Sequence, residues 1–123
     1  MNLLFFTSRD DEKAKEVDAA IREAIPGSKI ERYKRVRLLW KRLHQPLDPE
    51  SIAVLSAYDR KELRKMQILC EWLPEIYVVL IIPDRKEGTI RLAHHLSPRF
   101  LSQRSEGVSD LRDVLDKIYR TSH

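Results

Sequence analysis

Asp10 and Asp11 follow the first apolar run of the chain, and Asp59 follows the third. Carboxylates at strand ends are groups that can hold a divalent cation. Asp10 and Asp11 also stand directly before a helical stretch, where a side-chain oxygen accepts the amide N–H groups left over at the positive helix end. That capping role is the expected one. Cys70 is the single cysteine, which leaves no internal disulfide. Glu71, Trp72, Leu73 and Pro74 follow it, without the five-residue spacer and arginine of a phosphate-cradling loop, and no histidine is near in sequence. It reads as a core thiol. His94 and His95 are adjacent, so on a helix they point roughly 100° apart and are poorly placed to chelate one metal. Gly27, Gly88 and Gly107 are the only glycines and form no nucleotide-binding loop. The expectation is a protein that is not an enzyme and carries neither metal nor cofactor.

Positive charge is the second chemical theme. Over all 123 residues, 23 Lys and Arg face 19 Asp and Glu, a formal net charge of +4, which is milder than that of a dedicated nucleic-acid binder. From Lys29 to Arg42, seven basic residues face Glu31 alone, so this segment carries more than the whole excess. Arg32, Lys34, Arg35, Arg37, Lys41 and Arg42 would project toward water together, and are candidates for binding a partner.

The frame for these groups is an alternation of two hydrophobic periods. Asn2 to Thr7 is a nearly continuous apolar run, suited to a strand buried on both faces of a parallel sheet. Ala14, Val17, Ala20, Ile21, Ala24 and Ile25 then recur at helical spacing before Pro26-Gly27. Lys29 to Tyr33 reads as an edge strand. Val36, Leu39, Trp40 and Leu43 form the stripe of a second helix, with Pro46 and Pro49 in the loop beyond it. Ser51 to Ala57 is a third strand, Lys61 to Leu73 a third helix, and Ile76 to Ile82 a central fourth strand. A fourth helix over Glu87 to Leu96, a short strand over Phe100 to Gln103 and a helix opened by Ser109 or Asp110 complete the series. Strands joined by helices favour parallel pairing, and five such units predict a three-layer, doubly wound α/β sheet of order 2-1-3-4-5 in a single domain, 1–123. In that order the site lies outside the carboxyl ends of strands one and three.

Thr7 to Asp11 and Ser56 to Asp59 stand at those two ends. The alternation, the strand lengths and the aromatic in the last strand resemble a response-regulator receiver of the flavodoxin-like fold, over essentially the whole chain. Receivers place two acidic residues after the first strand, a phosphoaccepting aspartate after the third, a hydroxyl after the fourth and a lysine after the fifth. The carboxylates hold Mg²⁺, while metal and lysine neutralise the phosphoryl group. The matching positions here read Thr7 and Ser8, Ala57, Ile82 and Gln103, so all five depart from the family pattern. Phe100, three residues before Gln103, matches the aromatic that swings inward when receivers are activated, although core packing alone accounts for a phenylalanine in a strand.

The resemblance implies a receiver-like, non-phosphorylated protein interaction module of bacterial signalling or regulation. Its partner would be an acidic protein, met by the basic second helix. A homodimer through helix 4, strand 5 and helix 5 would use Arg91, His95, Arg99, Arg104, Asp113, Asp116 and Lys117. One alternative is a divergent receiver phosphorylated on Asp59 or in the first loop; the other is nucleic-acid binding through the basic helix, which ranks behind a protein partner. No apolar run approaches the ~20 residues needed to span a bilayer. The start lacks a secretory signal, and a stand-alone cytoplasmic domain is expected.

Overall fold

A computed structural model describes residues 2–122. Five strands, β1 (Asn2–Thr7), β2 (Lys29–Tyr33), β3 (Ile52–Ser56), β4 (Tyr77–Ile82) and β5 (Phe100–Gln103), form one sheet of order β2-β1-β3-β4-β5 in which every pair is parallel. The helices are α1 (Glu12–Ala24), α2 (Val36–Leu43), α3 (Arg60–Lys65), α4 (Glu87–His94) and α5 (Ser109–Ser122). This is the doubly wound order expected from the alternation.

The apolar runs divide residue by residue between the two faces. Leu4, Phe6, Val78, Leu80 and Ile82 pack with Leu39 and Leu43 of α2, Leu63 of α3 and Ala93 of α4. Leu3, Phe5, Val79 and Ile81 pack with Val17 and Ile21 of α1 and with Leu111 and Leu115 of α5. A parallel strand covered by helices on both sides leaves neither set in water, which is why NLLFFT and YVVLII show no polar alternation. Each such Leu, Ile or Phe removed from water contributes about 1.5–3 kcal/mol. β2, at the edge, is polar by comparison, and only Ile30 and Tyr33 of its five side chains pack on the core.

The third and fourth helices differ from expectation. The helix expected over Lys61 to Leu73 is α3, followed by a 3₁₀ turn over Met66–Leu69. Leu63, in α3, and Met66 and Leu69, at the two ends of the 3₁₀ turn, are all fully buried and three residues apart; a 3₁₀ turn stacks such a spacing directly, whereas an α-helix lets it drift around its axis. α4 stops at His94 rather than Leu96, and Ser97, with a left-handed φ of 55°, turns the chain toward β5. Gly27, at φ 79°, does the same between α1 and β2, where a side chain would strain the backbone. Among the described residues no helix is long and apolar enough to cross a membrane.

Candidate functional site

The sheet sends its chain in opposite directions at the end of two neighbouring strands. Thr7 and Ser56 are paired across β1 and β3. From Thr7 the chain passes to α1 on one face, and from Ser56 to α3 on the other, opening a crevice between them. Both helices begin on a carboxylate. Asp11 Oδ1 accepts the Ala14 N–H at 2.9 Å, and Asp59 Oδ1 accepts the Glu62 N–H at 2.8 Å. Asp11, rather than Asp10, is therefore the cap of α1.

The second oxygen of Asp11 is also engaged. Arg104, the residue directly after β5, crosses the crevice and places its Nη2 2.7 Å from Asp11 Oδ2, with the pair largely shielded from solvent. The same guanidinium reaches the buried Ser56 hydroxyl at 3.4 Å. Tyr58 closes the crevice from above: the Arg9 guanidinium lies 3.8 Å and that of Arg104 5.1 Å from its ring centroid. Burial pushes the Asp11 pKa up. The Ala14 N–H and the Arg104 guanidinium together outweigh that and hold the carboxyl below its ordinary value, so Asp11 is an anion at neutral pH.

Around this pair the rim is tied together. Lys13 Nζ donates to the Glu106 carbonyl, and Arg85 meets the Glu106 carboxylate at 2.7 Å. Arg85 holds the Glu106 pKa below the usual carboxylate range, against a smaller opposing effect of burial. On the far side Arg60 Nε donates to the buried Thr89 hydroxyl at 3.0 Å, joining α3 to α4.

The five positions matched to the receiver pattern occupy this edge. Ala57 is fully buried and its N–H donates to the Ile81 carbonyl at 2.9 Å, continuing the β3–β4 ladder. Thr7 donates its hydroxyl to the Arg9 carbonyl at 3.0 Å, Ser8 is half-buried, Ile82 is buried in the core and Gln103 is half-buried. Phe100 is half-buried against the apolar cluster that includes Leu111 and Leu115 of α5. Among the described residues no three His, Cys, Asp or Glu side chains are grouped to hold a metal ion.

Of the six cations expected to project toward water together, Arg42 departs from the set, and Arg32 stays exposed but paired. Arg32 binds Asp18 of α1 through Nε and Nη2, the latter at 2.6 Å. Arg42 folds back onto β2, with Nε 2.7 Å from Glu31 Oε1 and both side chains mostly buried. The Arg42 hydrogen bond, followed by a second from the Tyr33 hydroxyl, holds Glu31 below the ordinary carboxylate value against burial. Burial, with help from Glu31, pushes the Tyr33 phenol up to about 12. Lys34, Arg35, Arg37 and Lys41 remain exposed and have no ion-pair partner among the described residues. Arg104, expected on the α4–β5–α5 surface, lies in the crevice instead.

Solved structures carry the same arrangement of strands and helices. A protein of Burkholderia pseudomallei named as pilus assembly-related matches with a TM-score of 0.69 at 18% identity, over 98% of this chain and 90% of its own. A response regulator receiver domain from Rhodospirillum rubrum matches with a TM-score of 0.67 at 11% identity, over 99% and 94% of the two chains. The chain has the receiver fold. No known family model and no curated protein matches it. Within the receiver fold, Arg104 is the residue that sequence reasoning misplaced. It follows by one residue the position at which receivers carry a lysine, and a one-residue shift at the end of β5 would have found it.

Proposed function

We propose that this receiver-like chain is a protein interaction module that works without accepting a phosphoryl group. The observation that supports this reading most directly is the state of the crevice. Ala57 supplies no oxygen at the end of β3, and Arg104 and Asp11 neutralise each other where a receiver would gather metal and phosphate. A phosphoryl group arriving there would find one cation already engaged and no carboxylate to accept it. Of the carboxylates that could serve a divergent receiver, Asp11 and Asp59 are both spent as helix caps, while Asp10 stays exposed in the first loop.

The partner-facing surface in this reading is the outer side of α2, with Arg35, Arg37 and Lys41, and the partner is acidic. The pilus assembly-related and response-regulator relatives of the fold are consistent with a regulatory role in bacteria. The test is beryllofluoride with Mg²⁺, followed by amide NMR. Amides of Ser8, Ala57 and Arg104 should not move. A saturable shift at these positions would restore the phosphorylatable reading.

A further inference from the structure

A cleft of about 310 Å³ runs along α1 on the side of β2 and adjoins the crevice between β1 and β3, with which it shares Thr7 and Arg9. Its apolar lining is the half-buried ring of Tyr33, with Phe5 and Ala14 almost fully buried beneath it. Its polar lining is strongly one-sided: Lys15, Arg22, Arg32 and Lys34 meet Asp18. Asp18 is shared, since the Arg22 and Arg32 guanidiniums both bond to its carboxylate, so one anion serves two cations. Lys15 has an outside partner, Glu12, at 3.5 Å. Lys34 has none among the described residues. Arg9, whose guanidinium lies over the Tyr58 ring, and Asp10 complete the charged lining. Counted together, the five cations Arg9, Lys15, Arg22, Arg32 and Lys34 face the three carboxylates Asp10, Asp18 and Glu12, a formal excess of two positive charges.

We infer that this cleft binds a small phosphate monoester carrying a flat apolar group, of the chemical class of a nucleoside monophosphate. A phosphate monoester carries roughly two negative charges at neutral pH, matching the excess; Lys34, which has no partner among the described residues, and the guanidinium N–H groups that Arg22 and Arg32 do not spend on Asp18 are the donors for its oxygens. The apolar floor receives the ring, and a volume of 310 Å³ lies at the lower end of the range for small-molecule sites. Arg32 uses Nε and Nη2 on Asp18, which fixes its plane before a ligand arrives. The site is independent of the partner reading, and its test involves no partner.

The experiment is amide NMR of the labelled protein titrated with adenosine monophosphate, inorganic phosphate and adenosine in turn, at constant salt. Adenosine monophosphate should shift Thr7, Ala14 and Tyr33 saturably, more tightly than either of its parts. The double variant Arg22→Gln, Lys34→Ala should weaken binding by about tenfold. Both side chains are exposed, and circular dichroism confirms that the fold is kept. Arg37→Gln, Lys41→Gln, outside the cleft, should leave binding unchanged. The inference fails if millimolar adenosine monophosphate shifts none of these amides, if inorganic phosphate binds as tightly, or if the two double variants weaken binding equally.

Discussion

The Arg104 guanidinium lies 2.7 Å from the carboxylate of Asp11, across 93 residues of sequence, and joins the end of β5 to the first turn of α1. In a three-layer fold the helices are held to the sheet mainly by non-directional apolar contacts. This ion pair gives the C-terminal edge a fixed geometry. Arg104→Met leaves the half-buried Asp11 without its cation and should lower stability by about 2 kcal/mol in urea unfolding at neutral pH.

Asp11→Asn keeps a cap acceptor for Ala14 and removes only the charge, so it should cost less, about 1 kcal/mol. The pH dependence fixes the cause. The native Asp11 pKa is depressed, so its contribution is full above the ordinary carboxylate value of 3.8 and is lost as pH falls through the native value. The stability gap between the natural protein and Asp11→Asn should therefore close on acidification. A gap that persists at low pH would mean that the asparagine disturbs packing instead.

Tyr33 offers a second titration. Its phenol should ionise near pH 12, against an ordinary value of 10.0, as a late step in an ultraviolet difference titration. A raised native pKa means that stabilisation is full below the ordinary value and is lost as pH rises through about 12. Burial is the larger cause and survives mutation of Glu31, so Glu31→Gln should move the step down only in part.

The α2 surface is tested by charge reversal. Arg37→Glu, Lys41→Glu touches no ion pair and should change stability by no more than about 0.5 kcal/mol. An acidic peptide should shift the amides of Arg35, Arg37 and Lys41 in the natural protein, and the reversal should abolish those shifts. Binding of short duplex DNA that is tighter than that of the peptide and falls steeply with salt would instead favour the nucleic-acid reading.

The core predicts its own scale. Leu80 is fully buried in β4, facing α2, α3 and α4, and Leu80→Ala should cost about 2–5 kcal/mol by thermal or urea unfolding.

The sheet was legible in the sequence because burial on both faces leaves a signature in each strand. YVVLII has no polar residue to spare, while KIERY, covered on one edge only, keeps three charges. Strand order followed from the number of units and the handedness of crossovers. Helix ends were read less well. The spacing of Leu63, Met66 and Leu69 fits a helix at low resolution, and only its strict period of three distinguishes a 3₁₀ turn. Side-chain pairing across long separations was hidden altogether. Nothing local to Arg32 or Arg42 shows that Asp18 pairs with the first and Glu31 draws the second inward, because those contacts exist only once β2 has docked beside β1. The pairing of Arg104 was hidden for the same reason, since Asp11 lies at the other end of the chain, although its place one residue past the receivers' lysine position was within reach of the sequence.

β1 is hydrogen-bonded on one side to β2 and on the other to β3, and both follow it in the chain. During synthesis NLLFFT therefore emerges with two bare edges and two apolar faces, and neither edge can be closed until residues 29–33 and 52–56 have left the ribosome. A short, flat, uncharged segment in that position is a template for pairing with other chains. The acidic and basic residues that crowd the next turn, Arg9 to Lys13, flank it with charge during that interval, the position at which gatekeeper residues oppose aggregation. The rate of translation through the first half of the chain thus sets how long this strand stays exposed.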